Sequence, residues 1–297
     1  MITKKYNKNN KSKNNNKSKY ILKSKKNGKS LKSSKTLNIL SYNICWESMS
    51  GKDKNWTLCS NNTNPEHPKN NSVCVGNIAD AFSQDNLDFI TLQESTDFKK
   101  LIALSPILQK MKYEVHNSSL DVITTFWKPQ YKLLYRIKGE FEKGRPWMAT
   151  VFNYNKNSNY ICLINVHFGH YNKNDEYSKM AKMLVEIKEE IRKKEYKNSD
   201  KKSDKKIVYD KVKRYIISGD FNYNIKEFGD LNNIIKINGT DFYYHPRHIL
   251  TCCIKRRRHN DHVIDSMARP IDISIPDVKY MASDHKPILV KLVKLVI

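Results

Sequence analysis

Residues 215–222 read Tyr215-Ile216-Ile217-Ser218-Gly219-Asp220-Phe221-Asn222. A short run of aromatic and β-branched residues stops at a glycine, a carboxylate and a carboxamide. Tyr215–Ser218 predicts a short buried strand, because an apolar β-forming run bounded by turn residues has few other uses. Gly219 permits a tight turn and close backbone approach. Asn222 suits turn geometry by itself, so turn chemistry is its plain alternative to a functional role. The same arrangement recurs outward along the chain. The strand predicted over Leu37–Ile44 delivers Asn43, and the one over Asp88–Gln93 ends in Gln93-Glu94. The strand over Tyr160–Phe168 carries His167, and the last strand, Ile288–Leu295, follows Ser283-Asp284-His285. Chance supplies one or two such endings. Five in one chain are hard to read as packing.

The rest of the chain sets bounds. It has 297 residues, 39% hydrophobic and 10% aromatic, which excludes a wholly disordered protein. No run of about 18 apolar residues predicts a transmembrane helix. The first 36 residues show no apolar signal region, so an intracellular protein, cytoplasmic or nuclear, is expected. The net charge of +24 is unevenly spread. Residues 1–36 hold 13 lysines and no acid, Lys193–Arg214 holds ten basic and four acidic residues, and Lys255–Arg258 holds four basic ones. Everything else carries about +1. Basic patches are the footprint of a polyanion partner; AT-rich coding, which favours Lys, Asn, Ile and Tyr, is the plainer source of such a tail.

Residues 1–36 form a Lys/Asn/Ser-rich stretch expected to be disordered, and 37–297 form the folded domain. Trp46–Ser72 reads as a long loop and Val73–Phe82 as a short helix. Three strand-like runs lie between Tyr113 and Ile137, followed by another at Met148–Tyr154. Asp175–Glu195 predicts a helix, with Met180, Met183, Leu184, Ile187 and Ile191 at helical spacing. Lys197–Lys206 reads as a surface loop, and a late strand passes through Val263-Ile264. No internal repeat is visible. Many strands with few helices predict an α/β (α+β) fold with two packed sheets and helices outside. Cys59, His67 and Cys74 match no standard zinc spacing, and reduced thiols are expected.

The segments Ile39–Asn43 (ILSYN), Thr91–Glu94 (TLQE), Asn165–His167 (NVH), Gly219–Asn222 (GDFN), Asp261–Ser266 (DHVIDS) and Ser283–Pro287 (SDHKP) resemble the endonuclease/exonuclease/phosphatase superfamily, in that family's order. The resemblance covers residues 37–297. It implies a deoxyribonuclease-I-like four-layer β-sandwich of two mixed sheets flanked by helices. It also implies a metal-dependent phosphoric ester hydrolase using Mg2+, with Mn2+ as a substitute. That fits the chemistry, since a phosphodiester needs charge neutralisation, an activated water and help for its leaving oxygen. Glu94, a hard oxygen ligand, is implied as the central metal ligand, with Asn43 beside it and Asp284 near the metal directly or through water. A solvated strand-end carboxylate is the alternative for Glu94. His285 is implied as general base or charged phosphate stabiliser. Asp261 is implied as the carboxylate fixing its tautomer, with Asp265 the rival. Asp220 is implied to hold the attacking water, Asn222 to donate to a phosphate oxygen, and His167 to stabilise the charged intermediate or leaving group. His170 reads equally as a surface residue. Arg145 is implied to contact phosphate, and a strand-capping charge is its alternative. His167, where the abasic-site repair branch usually carries tyrosine, makes an abasic-site endonuclease the less expected member.

The expected substrate is nucleic acid, DNA or RNA, reached by a monomer with basic attachments. Tyr223, Trp147 and Tyr171 are candidates to stack on bases, core or rim packing being the favoured alternative. The same motifs serve phosphoinositide phosphatases and sphingomyelinases, and a basic tail would also be drawn to an anionic membrane surface. A non-enzymatic basic nucleic-acid-binding protein is the third reading, opposed by the complete set of candidate ligands. The Trp46–Cys74 loop and the Lys-rich loop before Gly219 depart from the family pattern.

Overall fold

Strand β1 (Thr36–Asn43) alternates its side chains between two cores, and that alternation organises the molecule. Leu37 and Ile39 face a second sheet, whereas Leu40 and Tyr42 face helices. The computed structural model describes residues 36–45, 72–83, 86–153, 160–170, 175–198, 212–252, 258–278 and 283–294. The basic tail, nearly all of the Trp46–Ser72 loop, Tyr171, residues 199–211 and the Lys255-Arg256-Arg257 run lie outside the described residues.

The first sheet has six strands. Their order is β12 (Asp272–Ser274), β13 (Ile288–Val293), β1, β2 (Phe89–Gln93), β4 (Val122–Trp127) and β3 (Lys112–Asn117). The second has seven. It runs β5 (Lys132–Glu142), β6 (Arg145–Asn153), β7 (Tyr160–His167), β8 (Val212–Asp220), β11 (Asp261–Asp265), β10 (Thr240–Tyr243) and β9 (Ile234–Ile237). Each sheet is antiparallel except for one parallel pair: β1 with β2, and β7 with β8. A parallel pair needs a crossover. The first contains helix α1 (Ser72–Asp80), and the second contains the long helix α4 (Glu176–Asn198). Helices α2 (Phe98–Leu104) and α3 (Pro106–Gln109) follow β2.

Three apolar clusters make four layers. Helices α1 to α3 cover the outer face of the first sheet through Cys74, Val75, Ile78, Leu101 and Leu108. Helix α4 covers the second sheet with Met180, Met183, Leu184, Ile187 and Ile191, the stripe expected from sequence. Between the sheets lie Leu37, Ile39, Phe89, Phe152, Ile161 and Ile216. This is the two-sheet, helix-flanked architecture expected from sequence. The short strands β9, β10 and β12 and helices α2 and α3 were not anticipated. Asn238-Gly239, both at positive φ (45° and 72°), closes the β9–β10 hairpin, a strong hairpin signal that the strand reading above leaves unused.

The layer between the sheets changes chemistry along its length, and this gradient positions the site. Inward residues run Leu37, Ile39, Ser41, Asn43 on β1 and Phe89, Thr91, Gln93 on β2. They run Ile161, Leu163, Asn165, His167 on β7 and Ile216, Ser218, Asp220 on β8. Apolar contact gives way to a hydroxyl pair, Thr91 Oγ1 and Ser218 Oγ at 2.7 Å. An amide pair follows, Gln93 Nε2 donating to Asn165 Oδ1 at 2.7 Å. Asn165 Nδ2 then donates across the layer to the Leu92 and Thr124 carbonyls, both at 3.1 Å. Such buried amides hold strand register because leaving one unpaired is costly. At the opposite end of β8, Arg214 turns inward and is 1% exposed. Its Nε and Nη2 donate to Asp265 at 2.8 and 2.6 Å, and Nη1 donates to the Val293 carbonyl. Arg214, counted in a basic segment above, is therefore a core residue. Asp265, the rival to Asp261, serves the fold.

Candidate active site

The C-terminal ends of both parallel pairs meet at one place. Asn43 lies opposite Gln93, the residue before Glu94. His167 lies opposite Asp220, and Asp220 lies opposite Asp261 on its other side. Glu94 and Asn222 leave their strands at φ 55° each, a conformation few residues other than glycine adopt, kept where surroundings impose it. Gly219 (φ 152°) has no alternative residue, since a Cβ there would collide with the Val166 carbonyl oxygen.

Asp220 is the hub. Its Oδ2 accepts from Asn43 Nδ2 at 2.9 Å and its Oδ1 from the Asn222 backbone N–H at 2.7 Å. The Nε2 atoms of His167 and His285 stand 3.7 and 3.6 Å from Oδ2. Each imidazole is backed by its own carboxylate. His285 Nδ1 donates to Asp261 Oδ2 at 3.0 Å, and His167 Nδ1 to Asp121 Oδ2 at 2.6 Å. Burial raises the Asp220 pKa, but the two imidazoles, the Asn43 amide and the Asn222 N–H outweigh it, leaving Asp220 below the usual carboxylate range. Burial lowers His285, yet Asp261, Asp220 and Asp284 together raise it to about 10, so it stands as an imidazolium. Asp261 is held above the carboxylate range by burial, with the Asp220 charge adding to it against the pull of His285. Its Oδ1 is buried without a partner among the described residues.

His167 is opposed by burial and raised on balance by Asp121, Asp220 and Glu94. Arg145 Nη1 lies 2.7 Å from His167 Nε2. That contact requires a lone pair on Nε2 and the proton on Nδ1, facing Asp121. Protonating Nε2 and keeping Arg145 there are mutually exclusive, so Arg145 reports the state of His167. Asp121 is the residue the sequence reading missed. Its signal was available: an acid immediately before an apolar strand, as Asp261 stands at the start of β11.

Glu94 Oε1 accepts from Asn43 Nδ2 at 3.0 Å and lies 3.8 Å from His167 Nε2. Its side chain is 20% exposed and lines a cavity of about 230 Å3 with Lys143 and Arg145. Asn43 therefore bridges two carboxylates, Glu94 and Asp220, with its NH2 group. An oxygen-rich corner of that kind suits a hard divalent cation. Asp284 is drawn elsewhere: its carboxylate falls within 4.8 Å of His285 and the Cys252 sulfur. Asp220, Asp261 and His285 form a second trio of that size, and Glu94 belongs to neither. Cys74 and Cys252 each take part in a disulfide, whereas Cys45 and Cys162 do not, which corrects the reduced-thiol expectation at those two positions. Disulfides follow the approach of the chain in space, which sequence spacing does not show. Neither sulfur is then a thiolate ligand, and Cys59 and His67 lie outside the described residues. Trp147 and Tyr223 are core residues, 1% and 3% exposed, and His170 is at the surface.

Two mixed sheets, one parallel pair in each and a site where those pairs meet define the endonuclease/exonuclease/phosphatase fold, and the chain has it. The endonuclease/exonuclease/phosphatase protein of Bacteroides vulgatus superposes with a TM-score of 0.59 at 15% identity, over 86% of this chain and 98% of that one. ANGEL2, a 2′,3′-cyclic phosphatase solved with adenosine-2′,3′-vanadate, superposes with a TM-score of 0.54 at 14% identity, over 86% of this chain and 95% of that one. In sequence, an uncharacterized protein of Acanthamoeba polyphaga mimivirus is 31% identical over 274 residues, 86% of this chain. The chain spans 50% of that relative's length. No protein-family model matches. Among the described residues, no helix is long and apolar enough to cross a membrane.

Proposed function

We propose that the chain is a phosphodiesterase acting on nucleic acid with Mg2+, for which Mn2+ substitutes. The observation that carries this is Asp220 set between two imidazoles, each paired with its own carboxylate, beside the Asn43–Glu94 corner. Glu94, with Asn43 beside it, would hold the cation, which when bound neutralises phosphate charge. Asp220, kept ionised, orients the attacking water and takes its proton as the new P–O bond forms and the leaving P–O bond breaks. The leaving oxygen takes a proton from solvent. His285 serves as the charged stabiliser of the phosphate, because an imidazolium has no lone pair to act as base. Asn222 donates to a phosphate oxygen; its Nδ2 is held by the Phe168 carbonyl at 2.8 Å. Arg145 and His167 face the phosphate from the other side. Nucleic acid is favoured as substrate by the +24 charge of the chain and by the adenosine-based ligand of ANGEL2.

The test is turnover of short DNA and RNA with Mg2+ at two salt concentrations, beside phosphoinositide and phosphomonoester substrates. Glu94→Gln and His285→Ala are expected to abolish cleavage while circular dichroism stays native. An unchanged rate in either variant sinks the site assignment. Turnover confined to phosphoinositides sinks the substrate.

A further inference from the structure

Beyond Asn222 the site opens into a cavity of about 400 Å3, nearly twice the 220 and 230 Å3 hollows on its other sides. Its walls include Asn224, Glu227, His248, Arg258, His259 and Asn260. Asn222 is the shared wall, so whatever fills the cavity is joined to the group whose phosphate Asn222 meets. None of these lining residues takes part in the chemistry proposed above.

The lining selects among occupants. A second phosphate would be drawn by Arg258 but repelled by Glu227, and it is small for the space. An apolar group would leave amides, carboxylate and imidazole unmatched, at a cost for each buried one. A nucleobase offers flat faces and an edge of alternating donors and acceptors, and the volume falls within the usual range of small-ligand sites. The histidines sharpen this. His259 is 4% exposed, and its Nε2 is buried without a partner among the described residues. An orphaned buried N–H is rarer than an orphaned lone pair, so the His259 proton sits on Nδ1. That nitrogen lies 3.2 Å from His248 Nδ1 and donates to it. His248, exposed at the rim, is thereby fixed as the tautomer with its proton on Nε2, a neutral donor. Burial and neighbouring cationic groups lower the pKa of both rings, His259 to about 2. The cavity thus offers two donors, the His248 Nε2–H oriented by His259 and the exposed Arg258 guanidinium, together with the Glu227 carboxylate.

We propose that this cavity is a nucleobase pocket, selective for guanine, on the nucleotide adjoining the scissile phosphate; this rests on the phosphodiesterase reading. Guanine alone presents two adjacent N–H donors, which a carboxylate accepts together, beside O6 and N7 acceptors, which His248 and Arg258 meet. The discriminating experiment measures kcat/KM for dinucleoside phosphates carrying each base on either side of the bond, against bis(p-nitrophenyl) phosphate, a diester with no base. Wild type should favour guanine over adenine at one of the two positions by roughly tenfold to a hundredfold. In Glu227→Gln the ratio of guanine-substrate to base-free rates should fall by about that factor, and in His248→Ala by a smaller one. Equal rates on all bases, or a Glu227→Gln loss equal on base-free and guanine substrates, overturns the proposal. Calorimetric binding of guanosine 5′-monophosphate against adenosine 5′-monophosphate separates the two readings. Guanosine preference without turnover of any diester overturns the catalytic reading and supports the pocket. Equal binding of both nucleotides overturns the pocket whatever the catalysis.

Discussion

Replacing Asp121 by asparagine keeps the side chain's shape and removes its charge. In the native site its carboxylate lies 2.6 Å from His167 Nδ1, with side chains 6% and 2% exposed. Water can neither screen nor replace so buried a contact. A hydrogen bond to a charged partner is worth about 1.5–3 kcal/mol. If the interaction matters most when charge builds on the phosphate, its loss converts to a fall of roughly tenfold to a hundredfold in kcat. A second effect compounds it. Asparagine can turn its NH2 toward Nδ1, which moves the imidazole proton to Nε2. Arg145 Nη1, a donor 2.7 Å from that nitrogen, then faces another donor and must move. Asp121→Asn and Arg145→Ala should therefore overlap: the double variant should fall by clearly less than the product of the two single losses. The assay is steady-state kinetics on one short diester, with thermal unfolding checked for each variant. A folded Asp121→Asn enzyme within threefold of wild type would refute the argument that His167 depends on its carboxylate. Strictly multiplicative losses would refute the shared tautomer.

Two further outcomes concern the fold. Arg214→Met should lower the unfolding free energy in urea by about 3–5 kcal/mol, because it strands the Asp265 carboxylate, 0% exposed, without its charged partner and with the Met267 backbone N–H as its remaining donor. Adding Asp265→Leu should restore most of that loss, and no recovery would show that the pair does more than cancel its own burial. His262 is buried with Nε2 against the Tyr223 and His259 carbonyls, and burial lowers its pKa to about 4 despite those contacts. Its folded pKa lies below the unfolded one, so the unfolded chain binds the extra proton between about 6.5 and 4. Stability should be full above about pH 6.5 and lost as pH falls through that window, by up to roughly 3 kcal/mol. His262→Gln should flatten the slope; a slope unchanged in that variant would assign it to other groups.

How much of this was legible depended on distance along the chain. Asn43, Glu94, His167, Asp220 and the Ser283–His285 turn could be read because each borders a strand whose apolar run is local. Period-2 alternation also separates Ile39 from Leu40 before any partner strand is known. Asp121 escaped because Ser118-Ser119-Leu120 looks like an ordinary turn, and only the β4 register brings it to His167. Arg214 escaped because it follows a lysine-rich stretch, and nothing local distinguishes a buried guanidinium from a solvated one. His248 and His259 are eleven residues apart on one loop, and their contact exists only after β10 and β11 have taken their places. The choice of Asp261 over Asp265 was likewise tertiary. Both lie on β11 facing inward, but at opposite ends, one meeting His285 and the other Arg214.

The position of the site follows from the connections. In each sheet the central parallel pair is flanked by antiparallel neighbours: β13 and β4 around β1–β2, β6 and β11 around β7–β8. A hairpin end is closed by its own turn. The end of a parallel pair releases two chains, one into the crossover that joins the pair and one onward, so its last residues can point polar groups away from both sheets. Stacking the sheets sets two such ends face to face. The first supplies amide and carboxylate, Asn43 and Glu94; the second supplies imidazole and carboxylate, His167 and Asp220. Neither half would bind a phosphate alone: one lacks positive charge and the other lacks an exposed oxygen ligand. The residues that complete the site, Asp121, Arg145, Asp261 and His285, come from the antiparallel strands and the turn at its rim. The proposed chemistry therefore falls where the two sheets meet, and the proposed discrimination between substrates falls to the segments leaving those ends, the cavity beyond Asn222 among them.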